Sequence, residues 1–121
     1  MTADYERWLN DARQSEAEAV GILKLKYYNT VAFKAHQAAE LALKALQIYR
    51  LKSFDRTHEL ALLASKVKAP ENVIKTCEEL YPYYTASRYP DVEVKVSGDK
   101  AKHLIELSKE VLEWVENQIG K

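Results

Sequence analysis

Three short segments of this chain carry side chains whose types and spacing can do chemistry. The first is Tyr84-Thr-Ala-Ser-Arg88-Tyr89-Pro90-Asp91, which brings a cation, two aromatic rings and a helix-stopping proline together just past a helical pattern. Core packing does not ask for Arg88 or Tyr89 there. An arginine forks onto phosphate, and a tyrosine ring stacks on a base. The second segment is a polar run inside an apolar helix. His36, Glu40 and Lys44 are four apart, so they share one helix face, with Gln37 on its edge. The third is Arg56-Thr57-His58, at an expected helix start. Histidine titrates near neutrality and can move a proton, and the free N–H groups of a helix start suit an anion.

Each segment also has a plain structural reading. Glu40 and Lys44 can be a surface ion pair, worth about 0.3–0.5 kcal/mol. His58 can pack locally while Arg56 is solvated. Tyr89 can be buried, with Arg88 paired to Glu40 across the molecule. Spacing alone leaves these alternatives open. Two polar side chains do not make a metal centre, since zinc needs three or four ligands and the other histidines are His58 and His103. No metal is expected. No Gly-rich phosphate loop, Cys-x-x-Cys pair, nucleophile elbow or His-Glu-x-x-His is present, so no cofactor is expected either. Cys77 falls on an apolar helix face, which fits a buried inert thiol.

The elements that must position these residues read as helices. A chain of 121 residues forms one domain, residues 1–121, and 47% apolar with 30% charged residues is neither disordered nor membranous. One cysteine and no charged-then-apolar leader suggest a cytoplasmic protein without a secretion signal. The 18 basic residues balance 18 acidic ones, so any contact with nucleic acid must be a local patch. Apolar residues from Trp8 to Leu23 recur at three- and four-residue steps, leaving Arg7, Asp11, Glu16 and Glu18 outside the stripe. Asn29 is a candidate cap for a second, alanine-rich helix running to Leu51. Thr57 is the expected N-cap of a short third helix, with Glu59 in its first turn. Pro70 suits the first position of a fourth helix. Val92, Val94 and Val96 suggest an extended connection, and Ser97-Gly98-Asp99 opens a last helix to about Ile119. The expected fold is all-α: an antiparallel up-and-down bundle of four to five helices. Leu107 and Trp114 lie off the main stripe of the last helix, which suggests either a homodimer seam or a packed loop.

Three motifs occur in order: His36-Gln-Ala-Ala-Glu40-Leu-Ala-Leu-Lys44, Arg56-Thr-His58-Glu-Leu60 and Ser87-Arg88-Tyr89-Pro90. Together they resemble the HEPN family, the nucleotide-binding domain shared by higher eukaryotes and prokaryotes. The resemblance covers nearly the whole chain, from the Trp8 region to the Trp114 region. It implies a helical bundle, usually a homodimer, often encoded beside a minimal nucleotidyltransferase as a two-component or toxin–antitoxin module. Many members are metal-independent RNases, with four to six residues between an Arg and a His on one helix. That spacing is not matched here: Arg50 and His58 have seven residues between them, Arg56 and His58 one. The chain resembles the nucleotidyltransferase-associated branch more closely.

On this reading the protein is a nucleotide-binding module that pairs with a nucleotidyltransferase. Arg56 and Arg88 would take phosphate, Tyr84 or Tyr89 would stack, and Glu40 with Lys44 would orient Arg88. The alternative is an RNase toxin in which His58 is the general base and RNA the target.

Overall fold

The second helix organises the molecule because so much of its surface is alanine. Ala32, Ala35, Ala38, Ala39, Ala42 and Ala45 are fully buried, so neighbours approach it closely on several sides. Leu43 and Leu46 fill the space between, while Leu41 and Ile48 are only partly covered. The computed structural model describes residues 4–83 and 95–120. Their helices are α1 (Asp4–Leu23), α2 (Tyr28–Leu51), α3 (Leu60–Lys66), α4 (Glu71–Leu80) and α5 (Gly98–Gln118). None of them is long and apolar enough to cross a membrane.

Cross-helix contacts fix the directions. Tyr5 at the start of α1 meets Tyr49 near the end of α2, edge to face at 4.8 Å, so α1 and α2 are antiparallel. Gly98 lies against the Tyr28 ring and Arg50 bonds Gln118, so α5 runs parallel to α2. Thr76 meets Glu110 while Glu79 meets His103, so α4 opposes α5. The four longer helices therefore run up, down, up and down, as an all-α bundle. α3 is a short descending turn beside α2.

The ends of the elements differ in detail from the sequence reading. Tyr27, not Asn29, occupies the N-cap position of α2, and no side chain caps it. Thr57 Oγ1 accepts the N–H of Glu59 at 3.1 Å, a local turn that precedes α3 instead of capping it. Pro70 sits one position earlier than expected, at the N-cap of α4. Ser97 does cap α5, accepting the Lys100 N–H at 3.0 Å. Three helices end near a lysine in the left-handed region: Lys26, Lys52 and Lys68, at φ 64°, 63° and 58°. Glycine or asparagine usually takes such a position. Residues 84–94, with the expected extended connection at Val92 and Val94, lie outside the described residues.

Two charge or burial assignments are corrected. Glu16 is buried between α1 and α5, 8% exposed, where its carboxyl meets the Ser108 hydroxyl. It falls in the Ala12–Glu16–Ala19 register of the stripe. Burial pushes this carboxyl up, against the opposing pull of Ser108 and Lys109. Leu107 is 6% exposed and belongs to the chain's own core, so the two off-stripe apolar residues do not lie together on the surface.

Candidate functional site

α2 carries a polar stripe, and the stripe holds the loop that follows it. After Leu51 the chain turns at Lys52 and climbs back along α2. Gln47 grips Asp55 twice: its Nε2 donates to Oδ2 and its Oε1 accepts the Asp55 N–H, each at 3.0 Å. Lys66 adds an ion pair to Asp55 at 3.2 Å, and the Gln47 and Lys66 contacts hold the Asp55 carboxyl below its ordinary value. One turn higher, Phe54 packs against Trp8 of α1 with ring centroids 4.5 Å apart. Lys44 and Arg56 both lie over the Phe54 ring, at 5.6 and 5.5 Å. Such contacts stabilise by about 0.5–2 kcal/mol, more where the cation is dry, as Lys44 is.

At the top of the stripe, Glu40 gathers three partners. Its Oε2 accepts from Lys44 Nζ at 2.9 Å, and its two oxygens lie 3.0 and 3.1 Å from His58 Nδ1. His36 Nδ1 is 3.7 Å from Oε1. Lys44 and Glu40 are buried, which rules out the exposed surface pair read from sequence. A carboxylate only accepts, so His58 carries its proton on Nδ1. The His58 side chain is 55% exposed, so the loop displays a histidine whose ring a buried carboxylate orients. His36 is different. Burial pushes it from 6.5 down to about 4, although Glu40 and a hydrogen bond to the His58 backbone pull the other way. At neutral pH its ring is uncharged.

Beside this network lies a groove of about 340 Å³ between the start of α1 and the turn after α2. Arg7, Lys52 and Arg56 line it with Trp8 and Phe54, and Asp4 is the one carboxylate among its lining residues. A neutral chain thus concentrates positive charge beside two aromatic rings. The sequence singles out Arg56; it does not single out Arg7, Trp8, Lys52 or Phe54 as site residues. The signal available is a cation near an aromatic at both Arg7-Trp8 and Phe54-Asp55-Arg56, which helical periodicity masks at Trp8.

The structure brings together His36, Glu40, Lys44 and His58, with Arg56 on the same loop. Gln37 points elsewhere, accepting from Ser15 of α1 at 3.3 Å and from Lys34 at 3.5 Å. Arg50 donates to the Val67 carbonyl at 2.6 Å and finishes α3 instead of joining His58. His103 pairs with Glu79. Tyr84, Arg88 and Tyr89 lie outside the described residues. Cys77 is fully buried, and burial pushes its thiol up to about 12. Among the described residues no group of three His, Cys, Asp or Glu side chains is arranged so that it could hold a metal ion.

Comparison with known proteins follows the same lines. A family model described as "HEPN domain" matches residues 5–118. The crystal structure of TT1696 from Thermus thermophilus superposes with a TM-score of 0.89 at 29% identity, covering 98% of this chain and 100% of that one. The structure of ST0689, described as an archaeal HEPN homologue, gives 0.83 at 27% identity, covering 98% and 99%. Among curated proteins, none matches.

Proposed function

Because the chain belongs to the HEPN domain family, we propose that it is a nucleotide-binding module, working as a homodimer and as the partner of a minimal nucleotidyltransferase. The observation that carries this reading is Arg56 over Phe54 in a groove shared with Arg7, Lys52 and Trp8. Three cations supply the phosphate contacts, and Trp8 supplies a face for the base. The Gln47–Asp55 and Glu40–His58 contacts hold the loop so that Arg56 is already in place before a ligand arrives, which lowers the entropy cost of binding.

Calorimetric titration with ATP tests it. Arg56→Ala should weaken binding by about ten- to hundred-fold, equivalent to roughly 1.5–3 kcal/mol, with an unchanged melting temperature. Absence of ATP binding in the wild type, or an Arg56→Ala variant that binds as well, would overturn the reading. Co-purification with the product of an adjacent nucleotidyltransferase gene tests the partner.

One observation favours a second reading, as an RNase toxin: the carboxylate-oriented, half-exposed His58 on the same loop as Arg56. There His58 would take the proton of a ribose 2′-hydroxyl. The 2′-oxygen would attack the neighbouring phosphorus while Arg56 balances the developing charge. Breaking the P–O5′ bond would leave a 2′,3′-cyclic phosphate and a 5′-hydroxyl, protonated from solvent. RNA cleavage in EDTA that disappears in His58→Ala would favour this reading over pure binding.

A further inference from the structure

α4 and α5 lie antiparallel, and the two ends of their seam are finished differently. At one end Glu79 of α4 is matched by His103 and Lys100 of α5, the lysine at 3.9 Å. At the other end the carboxylates Glu110 and Glu113 belong to α5, and α4 offers them only the neutral Asn72 and Thr76. The Thr76 hydroxyl has one proton and two acceptors in reach, the Asn72 carbonyl at 2.9 Å and Glu110 Oε2 at 3.3 Å. The nearer, in-helix carbonyl holds that proton better, so the exposed Glu110 carboxylate relies mainly on solvent. Neither Glu110 nor Glu113 has an ion-pair partner among the described residues.

Between the two helices opens a groove of about 510 Å³, with Trp114, one helical turn beyond Glu110, in its wall. Trp114 is half-buried and packs on the core, so its ring is held in place. An indole face and two unmatched carboxylates make a receptor for a planar cation. A guanidinium forks onto carboxylate oxygens and stacks on tryptophan; an ammonium does only part of this.

We propose that this groove receives an arginine side chain of a partner protein. The charge of the groove argues against a second copy of this chain as the occupant. A twofold seam centred here would set Glu110 and Glu113 against the same carboxylates of the other copy. The groove shares no residue with the one that holds Arg56, and the inference stands whether or not that site binds nucleotide.

A capped Gly-Arg-Gly peptide serves as the probe, read by NMR of the two tryptophan indole N–H signals, which Trp114→Phe and Trp8→Phe assign. The arginine peptide should move the Trp114 signal saturably in the millimolar range and leave Trp8 still. The lysine peptide should bind several-fold more weakly, and the glutamine peptide should give no shift. Glu110→Gln combined with Glu113→Gln should weaken the arginine peptide by at least about tenfold, with circular dichroism unchanged. A shift from the glutamine peptide equal to that from arginine would overturn the proposal. So would full binding in the double carboxamide variant, no response at tens of millimolar peptide, or equally tight binding of spermidine, which carries charge without the planar fork.

Discussion

Glu40 and His58 are eighteen residues apart in sequence and in direct contact, the His58 Nδ1 lying between both oxygens of the Glu40 carboxylate. The orientation of the displayed histidine therefore depends on one buried acid, which Lys44 in turn neutralises. Glu40→Ala removes that acid and strands the buried ammonium of Lys44. Urea denaturation should show a loss of roughly 3–5 kcal/mol. Replacing both partners by apolar residues, Glu40→Leu with Lys44→Met, should recover most of it. A single-variant loss below about 1 kcal/mol would mean that water reaches the pair.

His36 gives the fold an acid-sensitive point. Its folded value of about 4 lies below the ordinary 6.5, so between those limits the unfolded chain binds more protons than the folded one. Stability should therefore be full above pH 6.5 and fall as the pH drops toward 4, by up to about 3 kcal/mol from this group. His36→Gln should lack this dependence, so its stability relative to wild type should rise as the pH falls through that window. A difference independent of pH would contradict the assignment.

Glu16 acts in the opposite sense. Its folded carboxyl is raised by burial, so above the ordinary value of 4.5 the folded state binds the extra proton and loses stability as the pH rises. Ser108 donates to the Glu16 carboxyl, which offsets only part of the burial, so an uncharged amide at position 16 suits the site better than a carboxylate. Glu16→Gln should raise the melting temperature by a few degrees at about pH 8 and by nothing at about pH 4. Equal melting curves at both pH values would sink the argument.

The oligomer can be tested apart from the Trp114 groove. Sedimentation should show a dimer, and Trp114→Glu should leave it a dimer, because Leu107, its proposed companion, is spent in the core. Dissociation by Trp114→Glu would restore the seam expected from the sequence.

Some of this architecture can be read from spacing alone. The alanine belt of α2 and the Ser97 cap of α5 follow directly from local propensity and cap chemistry. Glu16 and Leu107 escape such a reading for a shared reason. Charge suggests exposure and a second apolar face suggests a partner, although both residues sit in register with buried neighbours one turn away. Gln37 looks like a companion of His36 because the two are adjacent in sequence; a one-position rotation of about 100° turns it toward α1. The Arg56 groove is half legible. Its walls come from residues 4–8 and 48–56, which only the α1–α2 hairpin brings together.

The three left-handed lysines carry a consequence for anyone engineering this protein. Glycine at Lys26, Lys52 or Lys68 would relieve a backbone conformation that costs about 1 kcal/mol, and each is an obvious thermostabilising substitution. Yet each lysine also lines a groove, and Lys52 lines the one that holds Arg56. Selection for heat resistance would thus favour Lys52→Gly while selection for ligand capture would oppose it. A library sorted only on melting temperature should enrich a sturdier chain that has given up a phosphate contact.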